Sequence, residues 1–309
     1  MEKVVCLLLL ALYGTSAAPA QDITANKTTI SIVLNANDGQ FPFMVSIQRR
    51  FETSYLKKNV CGGALITLQH VLTAASCLYD TAPGFPQLIN VEHYRVFAGN
   101  IHLGTDSVAS RIRLISNYTM HPDFMNNNEH LNDIAILTLD SPFVASDRIR
   151  PLSLPAPYSR PNEINSRCTV AGWGQTRPDG DMSMKLNYAT MSVLPQNTCE
   201  TRYSQLFGSP KVAPSMVCGV ATRSLTYGCP GDEGSPLVCN NQDLVGVMFK
   251  SNRCGISTDP VLYTRVSNHT EWAMSVIGMS TSSSSAFQPF VGLVFFLSIA
   301  QMVTSKFSQ

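Results

Sequence analysis

Gly228-Cys229-Pro230-Gly231-Asp232-Glu233-Gly234-Ser235-Pro236-Leu237-Val238-Cys239 sets three glycines and two prolines around two adjacent acids, then runs straight into a short apolar segment that ends in cysteine. Glycine and proline in this density mark a tight loop, and Pro236 to Cys239 reads as the strand that leaves it. The same punctuation recurs outward in both directions. Short β-branched and aromatic runs at Phe43–Gln48, Gly63–Ile66, Val71–Ala74, Tyr94–Ala98, Asp133–Leu139, Cys168–Trp173, Asn187–Leu194 and Leu244–Phe249 alternate with Gly, Pro, Asn and Asp clusters. That pattern predicts an all-β chain, a sandwich or a pair of barrels. One helix is expected, at the end of the domain, over Ser267–Ile277 with Ser267 as its cap.

The composition agrees with an exported, cross-linked globular protein. Of 309 residues, 44% are hydrophobic and 14% charged, and 22 basic against 21 acidic residues leave a net charge of +1. Enough apolar residue is present to bury a core. The balanced charge excludes the electrostatic footprint of a nucleic-acid binder. There are nine cysteines and no CxxC pair, which favours disulfides over a metal site. No phosphate-cradling glycine loop is present, and neither metal nor cofactor is expected.

Residues 1–20 read as a signal peptide: the apolar run Val4–Tyr13 is followed by small residues and Ala18-Pro19-Ala20. About ten apolar residues are too few to span a bilayer. Cleavage there removes Cys6 and leaves an even set of eight cysteines. Export gives meaning to the glycosylation sequons at Asn26, Asn117 and Asn268. Residues 21–31 form a short lead, 32–278 the domain and 279–289 a Ser-rich linker. The hydrophobic tail at 290–309 fits a GPI signal, a single spanning helix or an amphiphilic extension docked on the domain. The protein is expected to be secreted, or held on the outer cell surface through that tail.

Three segments taken together carry a family resemblance: Cys61-Gly62-Gly63-Ala64-Leu65-Ile66 with Leu72-Thr73-Ala74-Ala75-Ser76-Cys77, then Asn132-Asp133-Ile134-Ala135-Ile136-Leu137, then the Gly228–Cys239 loop. Phe41-Pro42-Phe43, Val170-Ala171-Gly172-Trp173-Gly174 and Pro260-Val261-Leu262-Tyr263 extend it. The chain resembles the chymotrypsin-like (trypsin-like, S1) serine peptidases over about Ile32–Gly278, in unbroken order. The resemblance implies two six-stranded antiparallel β-barrels with a C-terminal helix. It also implies four disulfides: Cys61–Cys77, Cys168–Cys239, Cys199–Cys218 and Cys229–Cys254.

The positions that carry the family's chemistry differ. The resemblance places the base histidine at Ser76 and the nucleophilic serine at Glu233, which leaves Asp133 as the matching member of the triad. A hydroxyl cannot serve as a general base near neutral pH. Asp232 and Glu233 are paired carboxylates, a combination able to do acid–base work, but nothing in sequence pairs with them. Ser235 has no histidine beside it, and none of His70, His93, His102, His121, His130 and His269 occupies the base position. Ile32-Val33 stands where the activated terminus belongs, yet follows Ile30-Ser31 rather than a basic residue. Asp232 would then lack its ammonium partner, and the oxyanion loop of Gly231 and Asp232 would lack its usual ordering force. The specificity pocket is expected to be filled: Tyr227 at its base, Phe249-Lys250-Ser251 along its wall and Val261 where a glycine would keep it open.

These changes point to a non-catalytic serine protease homologue that binds an active protease, a protease inhibitor or a surface ligand, with surface loops as recognition elements. The loops singled out are Leu78–Asn90, Asn126–His130, Arg177–Met184 and Thr201–Lys211. Two other readings remain open at this stage: an active endopeptidase with atypical residues, and a membrane-held adhesion module.

Overall fold

The computed structural model describes residues 34–279, except 81–86, 106–110, 125–129, 161–165, 209–211, 223–227, 252 and 255–258. The expected signal peptide, Asn26, Ile32-Val33, Tyr227, the linker and the tail lie outside the described residues.

In chain order the strands are β1 Leu34–Asn35, β2 Met44–Arg49, β3 Asn59–Leu65, β4 His70–Thr73, β5 Tyr79–Asp80, β6 Gln87–Leu88, β7 Tyr94–Ala98, β8 Ile112–Met120, β9 Ala135–Leu139, β10 Cys168–Gly172, β11 Asn187–Val193, β12 Met216–Ala221, β13 Pro236–Cys239, β14 Asp243–Lys250 and β15 Val261–Arg265. The first barrel closes in the order β2-β3-β4-β9-β8-β7. The second runs β11-β10-β13-β14-β15-β12 and closes through the β11–β12 pairing, with β1 added on the outer side of β11. Closure leaves no unpaired barrel edge. Every strand pair is antiparallel, as the short turn-separated runs require.

Each barrel is filled from within. Val45, Ile47, Leu65, Leu72, Val96 and Ile136 are sealed inside the first. Val170, Met191, Val217, Leu237, Met248 and Tyr263 fill the second. All four expected disulfides form. Cys168–Cys239 joins residues 71 apart across β10 and β13. Closing a loop of that length contributes about 4 kcal/mol in the chain-entropy picture.

Two expectations about helices are corrected. A helix, α2, spans Gln196–Phe207, after a short α1 at Tyr55–Lys58. It gave no periodic signal because it buries little beyond Cys199 and Tyr203. It is anchored instead by the Cys199–Cys218 bridge and by Tyr203 against Phe207, and it ends at Gly208 with φ +72°. The stretch Thr201–Lys211, expected as a recognition loop, is therefore helical through Phe207. The last helix, α3, covers Thr270–Val276, shorter than Ser267–Ile277, and Ser267 does not cap it. Ser267 is buried in a preceding 3-10 turn with its hydroxyl unpartnered, while Thr270 Oγ1 donates to the Val266 carbonyl at 3.2 Å.

Leu65 is fully buried at the end of β3, where the first barrel meets the chain that leaves it. Leu65→Ala is expected to cost about 2–5 kcal/mol of unfolding free energy. Urea unfolding followed by tryptophan fluorescence measures it, and a loss near zero would mean that this barrel is not packed as described.

Candidate active-site cleft

Four pieces of chain bring the expected site residues together. Ser76 lies in the 3-10 turn Ala75–Leu78 just after β4. Asp133 precedes β9, Glu233 precedes β13, and Phe249 is near the end of β14. Ser76 is tied to Asp133: its backbone N–H donates to Asp133 Oδ1 at 2.8 Å. Asp133 is fully buried, and Thr264 Oγ1 fixes its carbonyl at 2.8 Å.

The other oxygen of Asp133 faces a residue that the sequence reading passed over. His130 Nδ1 lies 3.4 Å from Asp133 Oδ2, beyond good hydrogen-bond length. The His130 backbone is left-handed, with φ +49°, and its ring stacks against Phe249 at 5.8 Å between centroids. The (i, i+3) spacing of His130 and Asp133 was visible in sequence. The left-handed turn that swings the ring inward was not.

Glu233 turns its side chain back onto its own loop. The Gly231 N–H donates to Glu233 Oε2 at 2.7 Å, and the Glu233 N–H also acts on the carboxylate. Burial pushes this carboxyl above the ordinary range, the two N–H groups oppose that rise, and the nearby Asp133 adds to it. Two converging backbone N–H groups form an anion-binding arrangement. Here the anion is supplied by the residue itself.

Asp232 points the other way, into the protein. Its Oδ1 accepts from Gly174 N–H at 2.9 Å and its Oδ2 from Cys229 N–H at 3.3 Å. The two adjacent carboxylates therefore do not converge on one point. No cation among the described residues pairs with Asp232, and burial raises its pKa to about 7. The loop is nevertheless tied on both sides: Gly62 N–H donates to the Glu233 carbonyl at 2.7 Å, and Asn59 Nδ2 to the Gly231 carbonyl at 3.0 Å. Ser46 Oγ in turn holds Asn59 at 2.6 Å. Ser235, weighed above as a stray hydroxyl, is fully buried with its Oγ unpartnered. It has no access to a substrate.

The pocket positions are crowded. A Cβ placed on Gly228 would meet Val261 Cγ2 at 2.7 Å and Ser251 Oγ at 3.1 Å. Val261 and Phe249 are buried, and burial pushes the Lys250 ammonium below its ordinary range. Of the other histidines, His121 stacks edge-on against His269 at 5.0 Å and also contacts Trp272. His269 Nδ1 donates to the Arg265 carbonyl at 2.8 Å, and its Nε2 lies 3.0 Å from Asn132 Oδ1. Burial lowers both histidines' pKa values. Among the described residues no cluster of three or more His, Cys, Asp or Glu could hold a metal. Of the described sequons, Asn117 is exposed on β8, while Asn268 is part-buried beside a fully buried Thr270.

Two barrels, four bridges and a cleft between them define the class of the chymotrypsin-like serine peptidases. The family model described as Trypsin matches residues 32–273, and the chain belongs to that family. Ovochymase of Halocynthia roretzi is 30% identical over 278 residues, covering 88% of this chain but 16% of that protein. Human heparin binding protein superposes with a TM-score of 0.64 at 30% identity, covering 81% of this chain and 98% of that one. Neuropsin, a serine protease expressed in the limbic system of mouse brain, gives 0.63 at 25% identity over 79% and 98%.

The raised pKa of Asp232 has a defined sign. Because the folded state holds this proton up to about pH 7, the unfolded chain releases it first as pH rises, and the contribution to stability falls across that window. The unfolding free energy of wild type minus that of Asp232→Asn is expected to fall from about pH 4 to about pH 8, by at most about 1.4 kcal/mol per pH unit. The histidines act in the opposite direction but are common to both proteins and cancel. Chemical denaturation at several pH values checks it; a difference that rises with pH would mean that Asp232 is paired with a cation.

Proposed function

We propose that this chain is an exported, non-catalytic serine protease homologue that works by binding: as a protease cofactor, an inhibitor decoy or a surface-recognition module. The carrying observation is the Glu233 carboxylate resting on the Gly231 N–H at 2.7 Å. In a working acyl-transfer site those donors must be free to meet the charge that develops on the substrate oxygen. The Glu233 carboxyl occupies that donor and stands where a nucleophile is needed. Ser76 supplies no base, and the imidazole near Asp133, that of His130, lies 3.4 Å from its Oδ2 without a hydrogen bond. Loss of both base and nucleophile is worth on the order of a million-fold in rate in measured triads.

The crowded pocket supports the same reading, since Val261 and Ser251 take the space beside Gly228. Among the similar structures, one protein is by name a binder of heparin and another by name a protease, so likeness of fold does not choose between the roles. On this reading residues 1–20 are a removed signal peptide, and 290–309 are a GPI signal, a spanning helix or an extension docked on the domain. Among the described residues no helix is long and apolar enough to cross a membrane.

Incubating the purified protein with a broad fluorogenic peptide library is expected to give no turnover, and a serine-reactive phosphonyl probe is expected to leave it unlabelled. Ser76→His combined with Glu233→Ser is expected to stay silent too, because Ile32-Val33 still follows no basic residue at which the chain could be activated. Turnover by the native protein that disappears in Glu233→Ala would establish a carboxylate mechanism and overturn the reading.

A further inference from the structure

Away from the cleft, a groove of about 970 Å³ is built from three pieces of chain: residues 39–43 ahead of β2, the 150–160 connection between the barrels, and the turn joining β13 to β14. It shares no lining residue with the site described above. Its walls are preformed. Arg150 N–H donates to the Pro42 carbonyl at 2.9 Å, Leu152 N–H to the Leu65 carbonyl at 2.8 Å, and Asn240 and Asn241 hold the β13–β14 turn in left-handed backbone at φ +52° and +68°. A ligand entering such a groove meets little cost of ordering the protein.

Its charge is unbalanced. Arg150 and Arg160 are exposed on the lining, and no carboxylate among the described residues pairs with either. The neighbouring Arg148, by contrast, is held by Asp38 at 2.6 Å. The acid on the lining, Asp243, already accepts from Asn240 Nδ2 at 3.0 Å. Part of the lining is apolar: Pro42, Leu154 and Pro155 are part-exposed along it, beside polar Gln40, Ser153 and Gln242. A ligand that fits must therefore bring anions for the two guanidinium groups and apolar groups for the floor. A sulfated glycan brings the first without the second, and a net charge of +1 gives no broad field to gather a polyanion. An acidic peptide with interspersed apolar side chains brings both.

We propose that this groove docks an extended acidic segment of a partner protein, its carboxylates meeting Arg150 and Arg160 and its apolar side chains lying on Pro42, Leu154 and Pro155. Arginine suits this role through its fixed fork of donors for a carboxylate. The inference is independent of whether the cleft is catalytic, because peptide binding and peptide cleavage are read separately.

The test uses the secreted protein and a fluorescein-labelled peptide of alternating Glu and Leu, followed by fluorescence anisotropy, with mass spectrometry to show whether the peptide is cut. Saturable binding is expected, weakened about tenfold or more by Arg150→Glu with Arg160→Glu, and absent for a Lys/Leu peptide. Thermal melting confirms that the double variant folds; if it does not, the exposed single changes Arg160→Ala and Leu154→Asp replace it, each expected to weaken binding. No binding at about 1 mM peptide, or affinity unchanged in the variants, overturns the proposal. Displacement of the peptide by a short heparin oligosaccharide that binds the same arginines as tightly would reassign the groove to polyanions and overturn it as well.

Discussion

The hydrogen bond from Gly62 N–H to the Glu233 carbonyl is the constraint on which the cleft depends. It ties the first barrel's β3 to the loop that opens β13 of the second, and it requires backbones to touch. A Cβ on Gly62 would lie 2.1 Å from Ser235 Oγ, and one on Gly234 would lie 2.3 Å from the Gly62 carbonyl. Gly234 is also left-handed, at φ +81°. With the seam that tight, the two residues between Gly231 and Gly234 have little choice of direction. Asp232 is driven inward to Gly174, and Glu233 is left at the cleft with the Gly231 N–H as its neighbour.

Among the described residues, backbone dipoles rather than ammonium groups meet the carboxylates gathered there. Asp133 takes the N–H of Ser76, Asp232 those of Gly174 and Cys229, and Glu233 that of Gly231. The raised pKa values of Asp232 and Glu233 show that these dipoles do not fully offset burial. The same N–H groups cannot serve a substrate at the same time. His130 is the imidazole near Asp133, at a distance too long to orient it well, and neither its Nδ1 nor Asp133 Oδ2 makes a hydrogen bond.

Much of this was legible from the chain. The glycine-rich loop, the alternating short runs and the even cysteine set specify barrels and bridges, because strand periodicity and turn chemistry are local properties. The motifs that frame Ser76 and Glu233 were equally plain. What sequence did not reveal depends on direction in space. Nothing in Asp232-Glu233 says that one carboxyl turns inward and the other folds back on Gly231. Nothing in the Asn126–His130 stretch says that His130 adopts a left-handed turn and faces Asp133. The α2 helix was hidden because a bridge and one aromatic pair hold it, so it needs no apolar stripe.

The contrast between the two sides of the molecule follows from the same accounting of charge. In the cleft, Asp232 and Glu233 are met by the protein's own backbone donors. On the groove lined by residues 150–160, Arg150 and Arg160 have no carboxylate partner among the described residues, beside a partly apolar floor. Unmatched charge on a rigid wall is where a partner gains most, since the protein has no internal contact to give up and little freedom to lose. A fold selected to cleave would concentrate its unsatisfied groups at the reacting bond. In this chain Arg150 and Arg160, exposed and without a carboxylate partner among the described residues, lie away from the cleft, while His130 Nδ1 and Asp133 Oδ2 stay without a hydrogen-bond partner inside it.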